Sequence, residues 1–510
     1  MVGNGPLNIV MLAVEASPYA KVGGLADVVG SLPKALDRLG AKLTVVIPAY
    51  GTAGLDSPSI DPFPAVSGLE IPMASSVERA EVFHSRMDHA DVDVYLIGSQ
   101  KYFDRKGIYD DPATGEGYPD NMERFIFFMK AGLDLLPKLG APVDIIHCHD
   151  SHTALIPGLI KTNFGNHPFF SNAGTLLTIH NLAYQTVSSV RSLDYAGIDR
   201  RHFYPGSPFE YWGQVNFMKT GIEFADKINT VSPNYSVEIR ESPELGMGLE
   251  GALRNRKEDL SGIVNGVDYD VWNPETDPLI PANFSTGDLS GKAECKKHLL
   301  EYFGLERSPN RVPLVGIVSR MADQKGFDLI EEASEELMTL DLRLAVLGMG
   351  QQKYHDLFQQ LASRYSGKIG VQLSFDDELA HKIEAGCDMF LMPSKFEPCG
   401  LNQLYSFRYG TIPIVRKTGG LADTVIPFDR DGGSGFVFSS YSAGAMMGAI
   451  RQALKVYSDP ALWQSLRIRA MSQDWSWDKS ARQYMKLYRS IRSKKHSEPA
   501  FLTRVRSEEV

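Results

Sequence analysis

The chain has 510 residues, of which 43% are hydrophobic and 22% charged, and a formal net charge of −10. That length suits two or more domains with separate cores, and the acidic balance excludes a general nucleic-acid binder, whose affinity comes from neutralising phosphates. Four cysteines, at 148, 295, 387 and 399, form no Cys-x-x-Cys pair, which excludes a disulfide framework or structural zinc site and fits a reducing compartment.

The first apolar run, 9–14, is too short for a signal peptide or a membrane span and is expected to be a buried strand. Lys21, Gly23 and Gly24 follow it and precede a helical pattern over 25–39. Further runs at 43–47, 145–147, 175–179 and 228–231 predict buried strands, with a helix at 122–136 among them. Residues 69–95 alternate on a period nearer two, as an antiparallel extension of the sheet would. The stretch 265–288 holds Asn-Gly, Asn-Pro and several Pro and Asp without helical period, and marks a boundary. Past residue 300 the rhythm restarts with 314–318, 342–347, 369–373, 389–392 and 412–415. An aromatic-rich helix over 475–491 closes the fold, and the polar tail is expected to be disordered. Two such series predict an α/β protein with two doubly wound domains, each opening a crevice beyond its strand carboxyl ends.

Four segments place chemistry at those ends. Consecutive glycines at 23 and 24 let backbone N–H groups approach an anion at a helix start, with Lys21 as a point charge. A plain strand-to-helix turn would use the same glycines. Arg320 and Lys325 sit between a strand and a helix, where two cations can offset the charge on a departing diphosphate without a metal. Glu397 precedes Cys399, Gly400 and Leu401 at another helix start, and its carboxylate suits a sugar hydroxyl or an oxocarbenium-like transition state. Cys399 reads as a small buried residue and not as a nucleophile. Asp150 at a strand tip is a candidate acceptor for a sugar hydroxyl, and His180 with Asn181 a neighbouring donor. His147, Cys148, His149, Asp150 and His152 invite a metal. Their spacing along an extended strand end is not expected to put them on one face with ligand geometry, so no metal and no other cofactor is predicted.

Together these segments resemble the bacterial glycogen synthases and plant starch synthases, glycosyltransferase family 5, from about residue 8 to about residue 488. The matching pieces are 21–25 (KVGGL) with 26–29 (ADVV), Asp120-Asn121 with Arg124-Phe125, His149-Asp150, 178–185 (TIHNLAYQ), 214–219 (QVNFMK), 231–233 (VSP) and 262–268 (GIVNGVD). They continue with Ser319-Arg320, 324–326 (QKG), 393–400 (PSKFEPCG) and 418–423 (TGGLAD). The resemblance implies a GT-B fold, two Rossmann-like domains facing a central cleft. Residues 1–272 would form the acceptor-binding domain, 273–475 the nucleotide-sugar domain, 476–492 a helix crossing back to the first domain, and 493–510 the tail. It implies retaining transfer of glucose from ADP-glucose to the non-reducing 4-hydroxyl of an α-1,4-glucan. No metal, nucleic acid or membrane takes part, and the location is cytoplasmic, or plastidial for a photosynthetic source after removal of a transit peptide.

By the same likeness Arg320 and Lys325 hold the diphosphate, while Asp150, His180, Asn265 and Glu397 line the glucose. Lys21, Gly23, Gly24, Asn181, Phe375, Cys399, Gly400, Leu401 and Asn402 bind the donor. The chain departs from the family at Ser151 (usually Trp), Thr186 (Gly), Phe375 (Tyr), Lys395 (Arg) and Asn402 (Thr). Those departures leave a UDP-glucose-dependent synthase or a catalytically weakened glucan-binding paralogue as the alternatives. A phosphorylase would need a lysine-bound pyridoxal phosphate, for which no dedicated site is seen, and a dehydrogenase would need a Gly-x-Gly-x-x-Gly after the first strand.

Overall fold

The computed structural model describes residues 5–51, 60–66, 68–306, 312–430 and 432–497. The chain divides into two units: the described residues of Met1–Val231, Glu238–Ile263 and Trp477–Val510 form the first, and those of Ser232–Val237 and Val264–Ser476 the second.

Among the described residues the first unit carries a ten-stranded sheet. Its path runs Leu260–Gly262, Lys227–Thr230, Gly174–Ile179, Ile145–His149, Asn8–Leu12, Lys42–Pro48, Val92–Gly98, Ser76–Arg86, Asp61–Pro62. The inner strands pair in parallel, with Met11 opposite both Val45 and His147, and His147 opposite Leu176. Strands covered on both faces have no solvent side to mark, hence their near-continuous apolar runs. The alternating stretch is the hairpin extension expected: Leu69–Met73 and Ser76–Arg86 pair antiparallel, as do Ser76–Arg86 and Val92–Gly98. Val92–Gly98 then joins the main sheet in parallel, with Val45 opposite Val94.

Helix Trp477–Ser497 belongs to this first unit and packs on its sheet. The Tyr484 hydroxyl accepts from Asn229 Nδ2 at 3.1 Å, and the Tyr488 hydroxyl lies 2.9 Å from His147 Nδ1. The helix runs through residues 493–497, which were expected in the disordered tail; the rest of that tail, 498–510, lies outside the described residues.

The second unit has six parallel strands among the described residues, in the order Ile369–Gln372, Arg343–Leu347, Leu314–Val318, Met389–Met392, Ile412–Arg416, Phe436–Phe438. Helix Phe327–Thr339 buries Phe327, Ile330, Ala333 and Leu337, a stripe at spacings of three and four that faces the core. Phe327, Ile330 and Leu337 each contribute about 1.5–3 kcal/mol of burial free energy. The strand order reverses direction beside Leu314–Val318 and Met389–Met392, the switch point where doubly wound sheets open a crevice at their carboxyl ends. Among the described residues, no helix is long and apolar enough to cross a membrane.

Candidate active site

In the first unit, strand Asn8–Leu12 leads to Glu15, which is 3% exposed. Its Oε2 accepts from the N–H groups of Val22 at 2.6 Å and Gly23 at 2.9 Å, and its Oε1 accepts from the Tyr109 hydroxyl. Burial raises the Glu15 pKa, opposed by those three donors. The amide of Gly23, expected to face an anion, therefore meets the chain's own carboxylate. Gly24 opens helix Gly24–Arg38, and Lys21 Nζ pairs with Asp27 Oδ1 at 2.8 Å in its first turn. Sequence reasoning missed Glu15. The available signal was an acidic residue directly after a buried strand and eight positions before a glycine pair.

The neighbouring strands Ile145–His149 and Gly174–Ile179 carry Asp150 and His180 just past their ends. Asp150 is 8% exposed, with φ of +56°, and its Oδ1 accepts from the N–H of His180 at 2.7 Å and of Asn181 at 3.4 Å. Burial pushes its carboxyl up to about 7, with the Glu15 carboxylate adding to the rise. Burial pushes His180 the other way, to about 3, so the ring is neutral; an edge of the residue still reaches solvent. His180 Nε2 lies 2.9 Å from His149 Nδ1. Asp150, His180 and Asn181 are thus assembled together, with Glu15 close enough to act on Asp150.

His147 and His149 share one face of their strand, contrary to expectation. Alternate residues of a strand share a face, and the rings of His147 and His149 lie 4.0 Å apart by centroid. They are engaged by Tyr488, Thr178 and His180. Among the described residues no three His, Cys, Asp or Glu side chains gather as a metal-binding group.

Two of the departures from the family pattern touch each other. The hydroxyls of Ser151 and Thr186 are 2.8 Å apart, and Thr186 has φ of +52°, a region β-branched residues avoid. A glycine would take that backbone without strain, so the hydroxyl pair offsets part of the cost of the threonine. A double-mutant cycle of Ser151→Ala and Thr186→Ala, followed by thermal unfolding, should give a coupling of about 0.5–1.5 kcal/mol. Additive changes would show the pair contributes nothing.

In the second unit, strand Leu314–Val318 ends at Ser319 and exposed Arg320, and the short 3-10 turn Asp323–Lys325 delivers Lys325. Lys325 Nζ donates to Glu397 Oε2 at 2.7 Å, and the Ser394 hydroxyl donates to the same oxygen at 3.0 Å. Gln324 reinforces the join, accepting from Lys395 N at 2.8 Å through its backbone oxygen. Lys325 and Glu397 side chains are 23% and 7% exposed, which leaves the cation the more accessible partner.

Glycine holds the segment after strand Met389–Met392 in place. Gly419 has φ of +43°, and a Cβ there would lie 1.9 Å from the Glu397 carbonyl oxygen. Gly326, with φ of +75°, would set a Cβ 2.0 Å from the Pro393 oxygen. Gly419→Ala should therefore displace Glu397 and break the Gly420 N–H bond to its carbonyl, lowering Tm and reducing turnover at least about tenfold, since a misplacement of about 1 Å costs up to 10²-fold. Unchanged turnover would contradict that reading.

Asn265 also lies in this unit, 5% exposed, with its Oδ1 buried and lacking a hydrogen-bond partner. Its backbone N–H is directed at the Cys399 thiol, which burial pushes up to about 12 and keeps protonated. The helix expected at Gly400 begins at Asn402 and is seven residues long. The Asn402 side chain donates to the Val318 carbonyl at 2.8 Å, tying helix to strand. Phe375 stands apart, 71% exposed, after strand Ile369–Gln372. Arg320, Lys325, Glu397, Cys399, Gly400, Leu401 and Asn402 thus lie at or near the carboxyl ends of strands in the second unit, with Lys325–Glu397 in direct contact, and Asn265 joins them through its N–H toward Cys399. Ser394 was within a quoted motif, but its hydroxyl contact to Glu397 was not foreseen.

Residues 8–255 match the family described as starch synthase catalytic domain, and residues 301–465 match glycosyl transferases group 1. The glycogen synthase of Koribacter versatilis (strain Ellin345) is 43% identical over 484 residues, covering 94% of this chain and 98% of that relative. The chain belongs to the glycogen synthase and starch synthase family. The glycogen synthase of Thermosipho melanesiensis is 38% identical over 492 residues, covering 96% of this chain and all of the relative. Among solved structures, the catalytic domain of starch synthase IV from Arabidopsis thaliana, bound to ADP and acarbose, superposes with a TM-score of 0.89 at 34% identity, over 96% of this chain and 100% of that one. This synthase therefore has the GT-B fold and is a glucosyltransferase of glycogen or starch synthesis. Sucrose-phosphate synthase from Thermosynechococcus elongatus, at 18% identity and a TM-score of 0.59, shares the fold alone.

Proposed function

We propose that this synthase transfers glucose from ADP-glucose to the non-reducing 4-hydroxyl of an α-1,4-glucan with retention at the anomeric carbon. The contact of Lys325 with the buried carboxylate of Glu397, beside Arg320 at a strand end, carries the reading. It sets a cation for the leaving group next to an anion for the sugar. The likeness to a starch synthase whose structure holds ADP and acarbose supports the donor and acceptor classes.

In the reaction the bond from anomeric carbon to diphosphate oxygen breaks, and a bond from the same carbon to the acceptor 4-oxygen forms. Both electrons of the broken bond leave with ADP, and Arg320 and Lys325 offset that growing charge from positions set by the fold before the reactants arrive. The acceptor proton passes to an oxygen of the departing diphosphate on the same face, so no carboxylate need form a covalent intermediate. Glu397 accepts from a glucose hydroxyl and favours the positive character of the ring. Asp150 and neutral His180 act as acceptor and donor to sugar hydroxyls, and the unpartnered Oδ1 of Asn265 gains a hydroxyl donor when sugar is bound. The exposed ring of Phe375 gives a purine a face to stack on.

Labelled glucose transfer to glycogen from ADP-glucose and from UDP-glucose, measured side by side, tests the donor. A higher kcat/KM with ADP-glucose is expected, and equal or greater transfer from UDP-glucose would overturn it.

A further inference from the structure

A small antiparallel sheet of the first unit plays no part in the chemistry above. It is ordered Glu210–Tyr211, Gln214–Asn216, Val187–Ser188. Its hairpin tip presents Trp212, 87% exposed, the most open of the large apolar side chains among the described residues. Tyr204, 58% exposed, precedes the turn at Gly206, which the Glu210 carboxylate ties to the turn at Gly213.

The tip is built and held. Trp212 has φ of +51° and is followed by Gly213 at +78°. A bulky residue in the left-handed region is an outlier that the surroundings must maintain, and such outliers gather at functional positions. The surroundings are identifiable. The Glu210 carboxylate accepts from Gly213 N–H at 2.8 Å through one oxygen and from Gly206 N–H at 3.1 Å through the other. One side chain thereby joins the turn after Tyr204 to the turn after Trp212. Lys219 Nζ donates to the carbonyls of Ser207 at 2.8 Å and of Glu210, fixing the base of both turns.

The charge around the tip points to a neutral ligand. The nearby arginines are matched, Arg200 with Asp194 at 2.6 Å and Arg201 with Asp199 at 3.5 Å. A phosphate-rich partner or an anionic membrane would call for unmatched cations. Two rings among exposed glycines and Gln214 also make a smaller apolar area than a stable protein interface, which needs about 800 Å² per partner. Rigid flat rings in polar surroundings fit the apolar faces of hexose rings, whose hydroxyls then meet water and backbone groups. The sheet also continues towards the reacting site. Val187 pairs opposite Asn216, about four residues or ~13 Å along the strand from the hairpin tip, and is 45% exposed. From Val187 the chain leads back through Tyr184, 46% exposed, whose N–H donates to the Asn181 carbonyl.

We propose that Tyr204 and Trp212 form an α-glucan-binding platform outside the reacting site, which holds an arm of the polymer while its end is extended. This rests on the glucan-synthase reading above, and the test separates the two. Wild type, Trp212→Ala, Trp212→Phe and Tyr204→Ala/Trp212→Ala are compared by affinity electrophoresis in glycogen gels, and by KM for glycogen and for maltotriose at saturating donor. Circular dichroism establishes that each variant is folded. The double variant should lose most of its retardation in glycogen and show a KM for glycogen raised about five- to tenfold, the loss of up to one factor-of-ten step in affinity. Its kcat and its KM for maltotriose should stay at wild-type values, and Trp212→Phe should keep part of the retardation. Unchanged retardation and KM for glycogen would overturn the platform, as would an equal loss with maltotriose, which would place the rings in the reacting site. Dissociation of an oligomer in the double variant, seen by light scattering, would also overturn it and assign the tip to a protein interface. If the wild type transfers no glucose to either acceptor, the glucan-synthase reading has failed, whatever the gels show.

Discussion

Lys325→Ala is expected to lower kcat by about 10²–10³-fold, the cost of removing one preorganised group from a developing negative charge. KM for the donor should change far less, because the leaving group's charge grows mainly on the way to the transition state. Lys325 Nζ is bonded to Glu397 Oε2 at 2.7 Å, so the substitution also takes a cation from a carboxylate that is 7% exposed and leaves it the Ser394 hydroxyl. The substitution therefore has a structural cost as well as a catalytic one. Lys325→Arg separates the two, since it keeps the charge and should restore Tm while recovering only part of kcat, as a planar guanidinium cannot copy an ammonium contact. Wild-type kcat in Lys325→Ala would remove this residue from the mechanism. Arg320→Ala should lower kcat in the same direction, again with a smaller change in KM for the donor.

Asp150→Asn should flatten the acidic limb of the pH–rate profile and lower the plateau about 10²-fold, the lower end of what positioned acid–base or hydrogen-bonding groups supply. Burial raises the Asp150 carboxyl from its ordinary 3.8 to about 7, so near neutrality it is divided between protonated and ionised forms. If the ionised form accepts the sugar hydroxyl, kcat/KM of the wild type falls as pH drops below about 7, and the asparagine variant lacks that limb. His180 cannot supply the limb, because it is held down to about 3. Stability has the opposite slope. The folded protein binds this proton more tightly than the unfolded chain does. The site's contribution is therefore full below about pH 4 and is lost as pH rises through about 7. Asp150→Asn should narrow the difference in Tm between pH 5 and pH 8. A wild-type pH–rate limb in the variant would sink the assignment.

The parts of this molecule that could be read from sequence are those where one physical rule acts alone. Buried parallel strands such as 145–149, 314–318 and 412–416 show as apolar runs because both their faces are covered. Arg320, Lys325 and Glu397 stand out because charges beside such strands have few structural reasons to be there. Contacts made by folding were not legible. Nothing in the order of residues says that Glu15 turns onto the amides of Val22 and Gly23, or that Ser394 meets Glu397. The strands Leu260–Gly262 and Phe436–Phe438 and the three-stranded sheet are two or three residues per strand, too short for a period to register. The helix expected from Gly400 starts at Asn402, and the Asn402 amide bonded to the Val318 carbonyl sets that start. His147 and His149 show the reverse error, where the two-residue strand period was available and was not applied.

The central claim is that cations at the strand ends of the second unit draw off a diphosphate while glucose passes, with its configuration kept, to a glucan end. It is tested most directly by the linkage of the product. Wild-type protein is given labelled ADP-glucose and glycogen, and the purified polymer is analysed by proton NMR and by digestion with β-amylase. The account predicts new α-1,4 linkages and release of the label as maltose. Label recovered only as free glucose, or fixed in a β-linkage that the amylase leaves intact, would contradict it.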